Sequence, residues 1–96
     1  MKSTDSRARW KEIERGLGSV GRLRMLRSMV ENPNRYFTKY ALERETGLKP
    51  TDVRSNLEIL TELGWVKEYD YDPKTYKINM ENEIVKLIAD LFQKIK

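Results

Sequence analysis

The sequence has no cysteine and no histidine in 96 residues. Disulfides, thiolate or imidazole metal sites, and catalysis by a cysteine nucleophile or a histidine base are therefore excluded. The serines and threonines have no histidine to activate them, and no glycine-rich phosphate loop is present. An enzyme is not expected, and neither is a bound cofactor or metal. Long apolar runs are also missing. Leu57–Leu60, with Glu58 inside it, is typical, whereas a membrane span needs roughly 20 apolar residues. The stretch Met1–Asp5 leads into arginines rather than an apolar segment. No signal peptide and no membrane partner are expected, and the expected location is cytoplasmic. Abundant Lys and Glu without Cys or His is compatible with a thermophilic source, where ion pairs cost less.

What is present suits one small folded domain. Hydrophobic residues make up 39% and charged residues 35%, too apolar for a disordered chain. A chain this short hides roughly 60–65% of its unfolded surface. The net charge is +4 and unevenly placed. Residues 1–56 hold 13 basic and 7 acidic side chains, and residues 57–96 hold 6 and 8. That asymmetry points to a polyanion-facing half and a different task for the rest.

Apolar spacing divides the chain into elements. Residues 5–17 read as an amphipathic helix capped by Ser3, Thr4 or Asp5, with Trp10, Ile13 and Leu17 on one stripe. Gly16 and Gly18 end it, and Ser19 can cap a second helix over 20–31. The expected core stripe there is Leu23, Leu26 and Val30, with Met29 beside it. Asn32-Pro33 stops that helix, and Arg35–Phe37 is a short extended piece. Thr38 caps a third helix over 40–46, and Gly47 ends it with a positive φ. Pro50 suits the first position of a fourth helix, which buries Val53, Leu57, Leu60 and Leu63 and stops at Gly64. Residues 65–69 and 76–79 alternate apolar and polar around the turn cluster 70–75, giving a β-hairpin. A last helix covers 82–95, with Ile84, Ile88, Leu91 and Ile95 spaced 4-3-4 and Leu87 and Phe92 at its flanks.

The ordered set Gly21–Leu26, Phe37-Thr38, Leu42, Thr46–Leu48, Pro50–Leu60, Leu63–Val66 and Tyr76–Ile78 resembles the winged helix-turn-helix domain of small transcriptional regulators. The resemblance is to the ArsR/MarR and related archaeal kinds, and it covers Val20–Asn79. The sequence departs from it at Glu43, where many relatives have a small apolar residue, and at Lys49, where Ser or Thr is common. The resemblance implies a mainly α fold with a small β-hairpin (α+β), extended by an extra helix at each end. It divides the chain into an N-terminal extension (1–18), the winged helix-turn-helix (19–79) and a C-terminal helix (80–96).

It also implies double-stranded DNA as the partner, with helix 50–63 in the major groove and the hairpin on the flanking backbone. A major groove admits one helix, whose N-terminal half meets base edges. Thr51, Arg54, Ser55 and Asn56 are the expected base-facing residues, Arg54 having the fork geometry for guanine and Asn56 lying one residue from the buried stripe, where it could do either job. Arg35, Lys39, Tyr40 and Lys49 are the expected backbone contacts. The hairpin, or wing, offers Tyr71, Lys74 and Thr75, beside Asp70 and Asp72, which repel phosphate and favour turns.

The outer helices need their own account. A 4-3-4 spacing is that of a coiled-coil seam, so a homodimer is expected through Trp10, Ile13, Leu17, Ile84, Leu87, Ile88, Leu91 and Ile95, the alternative being that the last helix folds back on its own core. A two-fold dimer sets two recognition helices about 34–36 Å apart, on successive major grooves. No small-molecule effector is expected. The alternative is a winged-helix protein-interaction module or non-specific DNA clamp in a replication, partition or polymerase assembly.

Overall fold

The structure is a computed structural model that describes residues 2–95, with side chains from Ser6 onward. It contains α1 (Lys2–Leu17), α2 (Val20–Glu31), α3 (Lys39–Thr46), α4 (Pro50–Glu62), β1 (Val66–Tyr69), β2 (Thr75–Ile78) and α5 (Glu83–Ile95). The α+β architecture and element order are those expected. Among the described residues no helix is long and apolar enough to cross a membrane. Helix α1 begins earlier than expected, at Lys2. The side chains of its expected caps, Ser3, Thr4 and Asp5, lie outside the described residues.

Local signals set most boundaries. Ser19 is extended, and its hydroxyl accepts from the Arg22 N–H at 3.3 Å. Thr38 accepts from the Ala41 N–H at 3.1 Å, and Gly47 ends α3 in the left-handed region at φ 76°. These caps satisfy backbone groups a helix end leaves open. Lys49 makes no side-chain cap bond, and Pro50 supplies a fixed φ at the start of α4. Gly64 turns the chain at φ 78° into the hairpin, whose antiparallel register pairs Val66 with Ile78 and Tyr69 with Thr75. Phe37 adds a bridge, exchanging backbone bonds with Tyr76 at 2.7 and 2.8 Å. Asn82 caps α5 by accepting from the Ile84 and Val85 N–H groups.

One core joins all these elements. Met25, Leu26 and Met29 from α2 meet Leu42, Val53, Leu57 and Leu60 from the helical hairpin, and Phe37, Trp65, Val66, Tyr76 and Ile78 from the strands. Two expected stripes are rotated. In α2 the buried set is Met25, Leu26 and Met29, while Leu23 is 41% exposed. Leu23 looks toward α5, where with Phe92 and Ile95 it lines an open groove of about 300 Å³. In α5 the inner stripe is Ile84, Val85 and Ile88 with half-buried Phe92. Leu87, Leu91 and Ile95 form a separate, exposed stripe.

Helix α1 is fastened over the base of the hairpin. Trp65 is fully buried, and its indole N–H donates to the Glu12 carboxylate at 2.6 Å. Gly16 lies against the indole ring so closely that a Cβ there would come within 2.1 Å of it. Glycine is required at this crossing because no side chain fits.

Candidate nucleic-acid interface

Helix α4 has two faces because Val53, Leu57 and Leu60 are drawn into the core. The remaining positions put Thr51, Arg54 and Ser55 on solvent, together with Asp52 and Glu58. Arg54 and Lys49 enter no ion pair among the described residues. Ser55 donates to the Asp52 carbonyl at 3.3 Å, a local bond that leaves its hydroxyl exposed. Arg54, Lys39 and Lys74 line one cleft of about 210 Å³ between α4 and the hairpin. Lys39, Tyr40 and Lys74 border a second, of about 450 Å³, between the start of α3 and the hairpin loop. Residues from three elements are thus brought to one side of the molecule. Tyr40 is exposed there and carries the Arg44 guanidinium 5.7 Å from its ring centre.

Asn56 is not on that surface. It is 6% exposed, and its Oδ1 accepts from Arg22 Nη1 at 3.2 Å. A Cβ at Gly21 would lie 3.0 Å from the Asn56 amide nitrogen, so α2 and α4 approach closely here. Asn56 falls on the inner side of α4, next to Leu57, and ties two helices together instead of facing bases. Arg22 Nε is itself buried without a partner. The importance of Arg22 had no signal in sequence, where it is one of three arginines in α2.

The flanking cations are partly engaged. Arg35 pairs with Glu45 and sits over the Phe37 ring at 4.2 Å. Lys74 pairs with Glu68 at 3.3 Å. The hydrogen bond to Glu68 raises the Lys74 pKa, and the Glu68 and Asp70 charges add to it. Burial raises the Tyr76 pKa, with the Glu68 charge a further cause. Thr75 is corrected as a wing contact: its hydroxyl is buried in the hairpin with no partner, so it faces no phosphate. Tyr71 is exposed and stacks on Tyr69. The part played by Glu68 could have been found from the hairpin register, which brings positions 68 and 74 to the same end.

The residues expected at a dimer interface divide. Ile84 and Ile88 are buried in the chain's own core, and Ile13 and Leu17 pack against it half-buried. Ile84 and Ile88 are corrected, because α5 folds its inner stripe onto the domain before it, while Ile13 and Leu17 keep part of their surface open. Trp10, Leu87, Leu91 and Ile95 remain exposed, at 53–72%.

No protein-family model matches the chain, and no curated protein matches it in sequence. Two solved structures do match in shape. The transcriptional repressor BigR from Xylella fastidiosa superposes with a TM-score of 0.73 at 20% identity, over 99% of this chain and 96% of that one. The second is the homodimeric winged helix-turn-helix DNA-binding domain of Mb0332 from Mycobacterium bovis, described as a possible ArsR-family transcriptional regulator. It superposes with a TM-score of 0.68 at 22% identity, over 94% of this chain and 82% of that one. Such distant likeness is one of shape, and it agrees with the elements described above: the chain has a winged helix-turn-helix fold with an added helix at each end.

Proposed function

We propose that the chain binds double-stranded DNA as a homodimer and regulates transcription by occupying its site. The observation that carries this reading is the outward face of α4, where Thr51, Arg54 and Ser55 stand exposed with Lys49 and Lys39 beside them. In this fold such a helix enters the major groove, and Arg54 would take a guanine edge. Lys39, Tyr40 and Lys49 would hold the adjoining phosphates, with Lys74 and Tyr71 on the flank. Arg35 would contribute less, because Glu45 already pairs with it. Residues 1–18 and 80–96 would serve the dimer through Trp10, Leu87, Leu91 and Ile95. The names of the two structural neighbours, a repressor and a homodimeric DNA-binding domain, support both parts of the proposal.

Selection of bound fragments from random duplex DNA tests it. The expected result is a two-fold symmetric motif with half-sites about one helical turn apart. Arg54→Ala should weaken that site by about 1–3 kcal/mol and relax one base position. No enrichment despite salt-sensitive binding would overturn the regulator and leave a non-specific clamp. The Lys74–Glu68 pairing, which lowers the wing's attraction for phosphate, favours that second reading. Leu91→Lys places a charge in the exposed α5 stripe and should shift the chain to a monomer in analytical ultracentrifugation.

A further inference from the structure

The two faces of the hairpin differ in chemistry. Val66 and Ile78 pair on the face that enters the core, and Glu68 and Tyr76 pair on that same side. The alternation of a strand therefore puts Lys67, Tyr69 and Lys77 on the outer face. Lys67 and Lys77 stand directly opposite each other in the register. Like charges in that position destabilise a strand pair. Three tyrosines surround them. Tyr36 and Tyr69 meet edge to face at 5.1 Å between ring centres. Tyr69 and Tyr71 lie nearly parallel, 12° apart in plane and 6.3 Å between centres. Lys77 Nζ sits 5.0 Å from the Tyr36 ring centre. Tyr36 and Tyr71 are 48% and 64% exposed, so beside these contacts each keeps surface open to a partner. A cavity of about 180 Å³ next to Tyr69 is walled by Asn34, Lys67 and Lys77, with Glu81 also at its wall.

We infer that this outer face binds single-stranded nucleic acid, independently of the α4 surface. Its tyrosines offer stacking faces to successive bases, and Lys67 and Lys77 take the phosphates between them. Asn34 can hydrogen-bond a base edge in the adjoining cavity. The like-charged pair favours an anionic partner, and the open rings favour one with flat apolar faces to cover them. An unpaired strand has both properties. A duplex does not offer its base faces, because neighbouring bases already cover them. Glu81 lies 3.4 Å from Lys67 but is 86% exposed in its side chain, so solvent screens that pair and a phosphate can displace it.

Fluorescence anisotropy of a labelled oligothymidylate of about ten nucleotides, titrated with the full chain, tests the inference. Salt-sensitive binding is expected. The double variant Tyr36→Leu/Tyr71→Leu should weaken it about tenfold or more, since stacking is lost at two bases. Tyr36→Phe/Tyr71→Phe keeps the rings and should bind as the parent does. Thermal melting of the leucine variant checks that it is folded. Arg54→Ala should retain the oligonucleotide while binding its selected duplex more weakly, which separates this surface from the proposed regulatory one. Absence of binding, equal binding by the leucine variant, loss in the phenylalanine variant, or loss in Arg54→Ala would each overturn it.

Discussion

The α4 face and the hairpin both present cations, but they hold them differently. On α4, Arg54 and the adjacent Lys49 point to solvent without an acidic partner among the described residues. On the hairpin, Lys74 is matched by Glu68 and Lys67 more loosely by the exposed Glu81, while Lys77 enters no ion pair among the described residues. A charge already matched within its own chain must exchange partners before it can hold a phosphate, so its net contribution to binding falls. On the proposed reading, the helix would supply the stronger attraction for a duplex and the hairpin a weaker, adjustable flank.

The largest expected effect comes from removing what joins the two regions. Trp65 sits where α4 hands over to β1, fully buried beneath Gly16. Trp65→Ala should cost about 3–5 kcal/mol in urea denaturation, through the cavity it leaves. If the hairpin were a loosely attached flap, only local signals would change and the main transition would stay in place.

A smaller effect tests how α4 is seated. Asn56→Ala strands the Arg22 guanidinium in a site with little solvent, at a cost of about 1–3 kcal/mol of stability. Under conditions where the variant is folded, its base preference should match that of the parent. A changed preference at one base position would return Asn56 to the reading surface.

The smallest effect bears on the comparison most directly. Glu68→Gln releases Lys74 and should steepen the salt dependence of duplex binding by up to about 0.9 in the log–log slope. Lys49→Gln should shallow the slope by a similar step, about 0.9, because Lys49 has no acidic partner to exchange. A Lys74→Gln variant that loses as much as Lys49→Gln would show that the hairpin cation was never restrained.

The fold was legible in sequence wherever the deciding interactions are local. Ser19, Thr38, Gly47, Pro50 and Gly64 each set a boundary through a bond or a backbone angle within a few residues. The rest depended on partners far along the chain. In α2, Leu23-Leu26-Val30 and Met25-Leu26-Met29 both satisfy a helical period, and only the positions of the neighbouring elements choose between them. In α5 the 4-3-4 spacing read as one seam, although the helix carries an inner stripe and an outer one. The same limit applied to the interface. Exposure of Thr51, Arg54 and Ser55 followed from the buried period of α4. The burial of Asn56 required Arg22, 34 positions away, and the restraint on Lys74 required the pairing of two strands.

The position of Trp65 has an optical consequence. The chain has two tryptophans, and they occupy opposite surroundings: Trp65 is fully enclosed and Trp10 is 63% exposed. Trp10 lies on α1, the helix whose Gly16 and Glu12 cover Trp65. An enclosed indole emits toward the blue and is shielded from aqueous quenchers, whereas an open one emits toward the red and is quenched readily. Lifting α1 would hydrate Trp65 and red-shift its emission, while covering α1 with a second copy would shield Trp10. The unlabelled protein thus carries one reporter for the seating of its first helix and another for whatever comes to cover that helix.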